Sequence, residues 1–244
     1  MAGKQESNGE KGSERAACTS LMLPLSDQKL DLKILNKLLS NAQSREKSLK
    51  IVQYSSKLLA YILARMAYKV WSKHWNDLAK SLSSARRFFK FFRWLKHFED
   101  LKEAKDEKDP SYRNLLYADV ACNLAADISE DITSLEKLGV LRKGSLPART
   151  EYYSNWCQLV LAVVEIMVTA VKVRRQSEAT KDSPTVASQR KLALANLEFS
   201  KFIADLIKAF WDCELSFASE LLFCLSGLWA SLVSTHKYAL KAAK

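Results

Sequence analysis

The chain has 244 residues, 38 Lys and Arg against 27 Asp and Glu, and a formal net charge of +11 at pH 7, with only 6 Gly and 4 Pro. Gly3, Gly9 and Gly12 fall in the first dozen residues, and Pro24, Pro110, Pro147 and Pro184 separate long stretches rich in Leu, Ala and Lys. That sparse punctuation excludes a hairpin-rich β fold and predicts an all-α protein built from amphipathic helices. Charge is uneven. From Gln28 to Phe98, sixteen Lys and Arg stand against three acids (Asp31, Glu46, Asp77), a local +13 that exceeds the charge of the whole chain. A basic half joined to a near-neutral apolar half suits a protein lying on an anionic leaflet.

Residues 1–25 are polar and read as a disordered tail. They contain no apolar stretch of the kind a secretory signal needs. Residues 26–109 read as a basic amphipathic helical region facing the cytosol. Ser26 or Asp27 is the expected N-cap of a helix with Leu30, Ile34, Leu35, Leu38 and Leu39 on one face. A second amphipathic stretch runs from about Arg45 to Trp75 with Ile51, Tyr54, Leu58, Ile62 and Met66.

The most informative segment follows. Between Leu78 and Phe98 stand six basic side chains and no acid, interleaved with Phe88, Phe89, Phe91, Phe92 and Trp94. As one helix, 78–98 places Leu78, Leu82, Ala85, Phe88, Phe89, Phe92 and Leu95 on one side and Arg86, Arg87, Lys90 and Arg93 opposite. Lys96 falls among the apolar residues, and Phe91, Trp94 and Phe98 lie toward the polar side. Such a helix can rest in a bilayer interface, rings among acyl chains and cations on anionic headgroups. The expected insertion residues are Leu82, Phe88, Phe89, Phe92, Trp94 and Leu95. The expected headgroup contacts are Lys80, Arg86, Arg87, Lys90, Arg93 and Lys96. Two other readings stay open: a core helix with a solvated basic face, and a basic helix for nucleic acid or calmodulin.

Glu99 to Asp109 is a charged connector with six acids and three lysines. Asp109-Pro110 reads as an N-cap and first helical residue, opening a helix over 110–138 that Gly139 closes; residues 139–150 are a linker. An apolar helix over 151–175 is a candidate membrane span, followed by a linker over 176–190. A C-terminal helical hairpin over 191–240 is expected, with a membrane helix near 215–235. Leu221 to Val233 carries no charge, and Ser226, Gly227, Ala230 and Ser231 put small residues where two helices can approach closely in lipid. Of the two apolar windows, this one reads as the better membrane helix. One or more membrane-embedded helices are therefore expected in the C-terminal half. Each window is shorter than the ~20 apolar residues of a simple span unless it crosses a glutamate.

Catalytic signals are weak. His74, His97 and His236 have no partner at metal-ligand spacing, and there is neither a phosphate-binding glycine loop nor a nucleophile elbow. Asp119, Asn123, Asp127 and Asp131 share a helix face, which reads as solvated or helix-pairing. No catalytic residue, metal or cofactor is expected. The five cysteines (Cys18, Cys122, Cys157, Cys213, Cys224) show no short paired spacing and read as reduced thiols.

The order of these pieces resembles the peroxin eleven family of peroxisomal membrane proteins. The residues that carry it are Arg45-x-Lys47 with Gln53-Tyr54, the run from Ala85-Arg86-Arg87, and Asp131 to Leu135 with Lys137 and Gly139-Val140-Leu141. Asp205-Leu206-Ile207-Lys208-Ala209 and Ser226 to Ser231 complete it. Ser134 stands where an aromatic is common in the family, and the last helix has one glycine where relatives often have several. The resemblance implies a non-enzymatic protein of the peroxisomal membrane that remodels the bilayer and promotes elongation, proliferation and fission. Its implied partners are anionic phospholipids, further copies of itself and fission machinery including a dynamin-type GTPase, with no nucleic acid. A metabolite pore and a soluble helical adaptor are the alternatives. The C-terminal Ala-Ala-Lys is not a matrix-import signal.

Overall fold

A computed structural model describes residues 42–242, and side chains over 44–240. The expected tail over 1–25 and the helix expected to start at Ser26 or Asp27 lie outside the described residues. The described residues form seven α-helices and no strand: α1 (Ala42–Arg65), α2 (Lys69–Lys90), α3 (His97–Lys105), α4 (Pro110–Lys137), α5 (Thr150–Asp182), α6 (Val186–Asp212) and α7 (Glu220–Ala242). A single 3₁₀ turn, Arg93–Lys96, joins α2 to α3. The fold is all-α.

The helix ends follow local chemistry. Asp109 Oδ1 accepts from the Ser111 N–H at 3.0 Å, with Pro110 as the first helical residue of α4. Gly139, at φ +77°, ends that helix: the Val140 N–H reaches the Leu135 carbonyl and the Gly139 N–H that of Glu136, the paired bonds of a left-handed cap. Thr185 and Ser188 cap α6 reciprocally.

Three expectations change. The stretch over 45–75 is not one helix. Ala67 takes φ +63°, and the Tyr68 and Ala67 amides bond back to Leu63 and Ala64, so α1 and α2 form a hairpin. The helix over 78–98 is not continuous either: Phe91 is extended, Phe92 is left-handed at φ +61°, and α2 stops at Lys90. No glycine or proline imposes that break. The Phe92 amide leaves the helix to donate to Asp131 Oδ2 at 3.1 Å, a tertiary contact that outweighs local propensity. Finally, the linker expected over 176–190 shrinks to 183–185, because Lys172, Arg174 and Glu178 continue α5 on a charged, solvated face.

The helices close a ring of contacts: α1 packs on α2 and α7, α7 on α6, α6 on α5, α5 on α4, and α4 on the α2–α3 junction. The interior of this ring is unusual. Its buried apolar residues are mostly alanines, among them Ala79, Ala126, Ala162, Ala204 and Ala230, and its largest fully buried side chains are Cys224, Ser134 and Ser231. The large apolar side chains face outward: Val160, Val163 and Met167 on α5, Leu222, Leu225, Trp229 and Leu232 on α7, and Phe88, Phe89 and Phe92 around the end of α2. Small residues inside and large ones outside is the pattern of helices that pack in lipid.

Among the described residues, α5 is the one helix long and apolar enough to cross a membrane by length and composition. Only 22% of its apolar 18-residue window is buried inside the molecule, whereas the core helix of a soluble bundle would be mostly buried. The reading of the C-terminal window as the stronger of the two is thus reversed: Ser226, Gly227, Ser231, Ser234, Thr235 and His236 dilute the apolar stretch of α7 between Glu220 and Lys237.

Candidate membrane-contact site

The segment from Lys69 to Lys96 has two opposed faces, and their surroundings differ from the sequence expectation. The apolar face is open. Phe88 is 71% exposed, and Leu78, Phe89, Phe92, Leu95 and Phe98 are exposed with it. Phe88 and Phe89 meet edge to face with ring centres 6.3 Å apart. Leu82 and Trp94 are half-buried, and Trp94 stacks edge to face on Phe98 at 6.3 Å. The break at Phe92 separates Trp94 and Leu95, on the 3₁₀ turn, from Leu82, Phe88 and Phe89 on α2, so the six expected insertion residues do not share one helix.

The basic face is turned inward, onto carboxylates of the same chain. Arg86 is 8% exposed; its Nε donates to Glu46 Oε1 at 2.9 Å, and its other nitrogens reach Glu46 and Gln53. Lys90 Nζ donates to both Glu130 oxygens, at 2.7 and 2.9 Å. Arg93 forks onto Asp127, with Nε 2.9 Å from Oδ2. Arg87 donates to Ser134 Oγ at 3.2 Å, and Ser134 is buried beneath that guanidinium. Of the six cations expected to meet headgroups, only Lys80 and Lys96 are exposed. Each has only a loose acid neighbour, Asp77 at 3.7 Å and Asp100 at 3.9 Å.

Electrostatics explain why these charges tolerate burial. Burial alone would raise the Glu46 carboxyl, but Lys47, Arg86 and Lys90 hold it well below the usual range. Burial is likewise overcome at Asp127 by hydrogen bonds from His97 and Arg93, and at Glu130 by Lys90 and Arg93, which bring it down to about 2. Each carboxylate is therefore ionised and paired, the condition under which an interior charge is affordable. On the neighbouring side of α1, burial pulls Lys50 down to about 8 despite Asp205, 3.4 Å away.

The acidic face of α4 supplies the partners. Asp127 and Asp131, with Glu130 beside them, dock the α2–α3 junction. Asp119 stands apart: its Oδ1 is buried with no hydrogen-bond partner among the described residues. His97 is the residue that sequence reasoning passed over. It bridges Asp127 and Asp100, both at 2.9 Å, and the signal for it was its place seven residues after Lys90 on a face of basic groups. No group of His, Cys, Asp and Glu among the described residues is arranged to hold a metal. Cys122, Cys157, Cys213 and Cys224 are free thiols.

The small residues of α7 face inward as well. Ser226, Ala230 and Ser231 are buried. Gly227 lies against the Tyr54 ring of α1 so closely that a Cβ there would overlap it. Gly227 thus joins α7 to α1 within the chain, and Tyr54, Phe223 and Cys224 form the cluster beside it.

No curated protein and no solved structure matches the chain. An outward apolar surface, a charged and small-residue interior and a helix fit to cross a bilayer are the marks of a membrane protein, and residues 32–239 match the family model described as Peroxisomal biogenesis factor 11 (PEX11). The chain belongs to this family and is a peroxisomal membrane protein involved in peroxisome proliferation.

Proposed function

We propose that the protein promotes peroxisome elongation and fission by remodelling the bilayer, without catalysis, through the apolar face of α2 and through self-association. The observation that carries this is the exposure of Phe88, Phe89 and Phe92 on a segment whose Arg86, Lys90 and Arg93 are already paired inside the molecule. Rings left in water at this density are costly, at about 25 cal/mol for each Å² of apolar surface. Settling them among acyl chains removes that cost and widens one leaflet, which bends the membrane. The buried ion pairs act as the rigid back of the wedge, transmitting it to α1 and α4. Lys80 and Lys96, still exposed, supply attraction to anionic phospholipid, each on the order of 1 kcal/mol. Self-association of outward faces such as that of α5 concentrates wedges, and a dynamin-type GTPase then divides the tubule.

The test is the full chain in vesicles containing anionic phospholipid. Wild type draws tubules, whereas the Phe88→Ser, Phe89→Ser, Phe92→Ser triple variant, equally folded by thermal unfolding, leaves them round. Tubulation at the wild-type level by that variant overturns the reading.

A further inference from the structure

We propose a second membrane-contact point, at the tip of the α1–α2 hairpin, that binds the surface of an anionic bilayer. It rests on the reading that α2 lies against lipid. Within ten residues around Ala67 the side chains of Ile62, Met66, Tyr68, Val70 and Trp71 are all exposed, Val70 at 69% and Trp71 at 62%. Such a concentration at a helical turn is not what a solvated loop carries. Interleaved with them are Arg65, Lys69 and Lys73, all exposed. From Lys47 to Asn76 there is no acidic residue, and neither Lys69 nor Lys73 forms an ion pair among the described residues. The mixture of rings and unpaired cations fits a surface that is apolar below and anionic above.

The tip is held in shape. The left-handed Ala67 is fixed by the Tyr68 amide on the Leu63 carbonyl at 2.9 Å, and Ser72 Oγ crosses the hairpin to the Ala60 carbonyl at 2.8 Å. It is also in line with the wedge. At 100° per residue Val70, Trp71, Leu78, Leu82, Phe88 and Phe89 fall within about a third of the helix circumference. They span about 28 Å along the axis. One flat surface therefore meets both ends of α2. A second copy of the chain is the poorer occupant, because it would bring the same three cations to the contact.

The six tryptophans are separated by difference. The emission of Trp71 is the full-length wild-type spectrum minus that of Trp71→Phe, recorded in vesicles with and without phosphatidylserine and with acyl-chain spin-labelled lipid as quencher. The expected result is at least about twofold quenching of Trp71 by the labelled lipid in phosphatidylserine vesicles, falling away when Arg65, Lys69 and Lys73 are all replaced by Ala. The Phe88, Phe89, Phe92 serine variant separates the two sites: Trp71 remains lipid-quenched in it even where tubulation is lost. Free quenching of Trp71 by aqueous acrylamide places the tip in water and overturns the proposal. Shielding from acrylamide without lipid quenching means protein covers it, and overturns it too.

Discussion

Arg86 donates its Nε hydrogen to Glu46 across forty residues at 2.9 Å, and both side chains are buried. The pair ties α2 to α1 on the side facing away from Phe88. It divides the cations of this segment into two groups with different work. Arg86, Arg87, Lys90 and Arg93 hold the molecule together, while Lys80 and Lys96 remain available to a headgroup.

That division gives the first prediction. Arg86→Ala leaves the buried Glu46 with Lys47 alone, 2.7 Å away, and should lower stability by about 1.5–3 kcal/mol through the lost charged hydrogen bonds. Pairing it with Glu46→Gln should recover much of the loss, because both charges then leave together. Lys80→Glu, at a side chain 70% exposed, should leave stability within about 0.5 kcal/mol yet weaken association with anionic vesicles. Thermal unfolding followed by circular dichroism and a vesicle flotation assay read the two effects. Equal loss of stability in both variants would contradict the division.

How much of this was legible beforehand depends on which partner lay in the same segment. The Asp109-Pro110 start, the Gly139 stop and the apolar α5 were readable because a cap and an apolar run are local signals. Periodicity sets Arg86 about 160° from Phe88 on α2. Their environments were hidden, since Glu46 lies forty residues before Arg86 and Asp127 thirty-four after Arg93. An unpaired-looking basic face in sequence was a paired one in space. The break at Phe92 was invisible for the same reason: its amide is taken by Asp131, from a helix that periodicity alone could describe only as solvated or helix-pairing.

His97 makes the docking of α3 depend on pH. The hydrogen bond to Asp127 does most to raise its imidazole above 6.5; burial opposes this, and Asp100 adds to it. The folded state holds the proton more tightly than the unfolded chain. The contribution to stability is therefore fully present below pH 6.5 and is lost as pH rises through the raised folded value. Thermal midpoints measured from about pH 5.5 to 8.5 should fall across the upper part of that range. His97→Gln should flatten the fall, and an unchanged slope would show that another group is titrating.

Gly227 and Tyr54 set the distance between α7 and α1. Alanine at 227 would gain about 1 kcal/mol in helix propensity, but its Cβ overlaps a buried ring that has no open side to swing into. Overpacking of this kind costs about 1–3 kcal/mol, so Gly227→Ala should be neutral to destabilising by up to about 2 kcal/mol. Adding Tyr54→Leu should reverse the sign of the Gly227→Ala effect, measured as a double-mutant cycle on thermal unfolding. A stabilising Gly227→Ala in the presence of Tyr54 would mean that the two helices sit further apart.

Asp119 is a cost that the fold carries. Its Oδ1 has no partner among the described residues, and burial, with the Asp100 charge behind it, pushes its carboxyl up to about 6 from 3.8. A carboxyl raised on folding binds its proton more tightly in the folded state, so this group favours folding most below pH 3.8. That advantage declines as pH climbs to about 6 and is gone above it. At pH 7 the charged, unpartnered oxygen is a net penalty, while an amide of the same shape carries no charge to desolvate. Asp119→Asn should therefore raise stability at pH 7 by on the order of 1 kcal/mol, discounted because the side chain is only half-buried. The gain should shrink as pH falls toward 4, where aspartic acid is already neutral. Thermal unfolding of the two proteins at matched pH values measures it, and a difference that stays constant between pH 4 and 7 would show that Asp119 finds a cation or proton donor when folded.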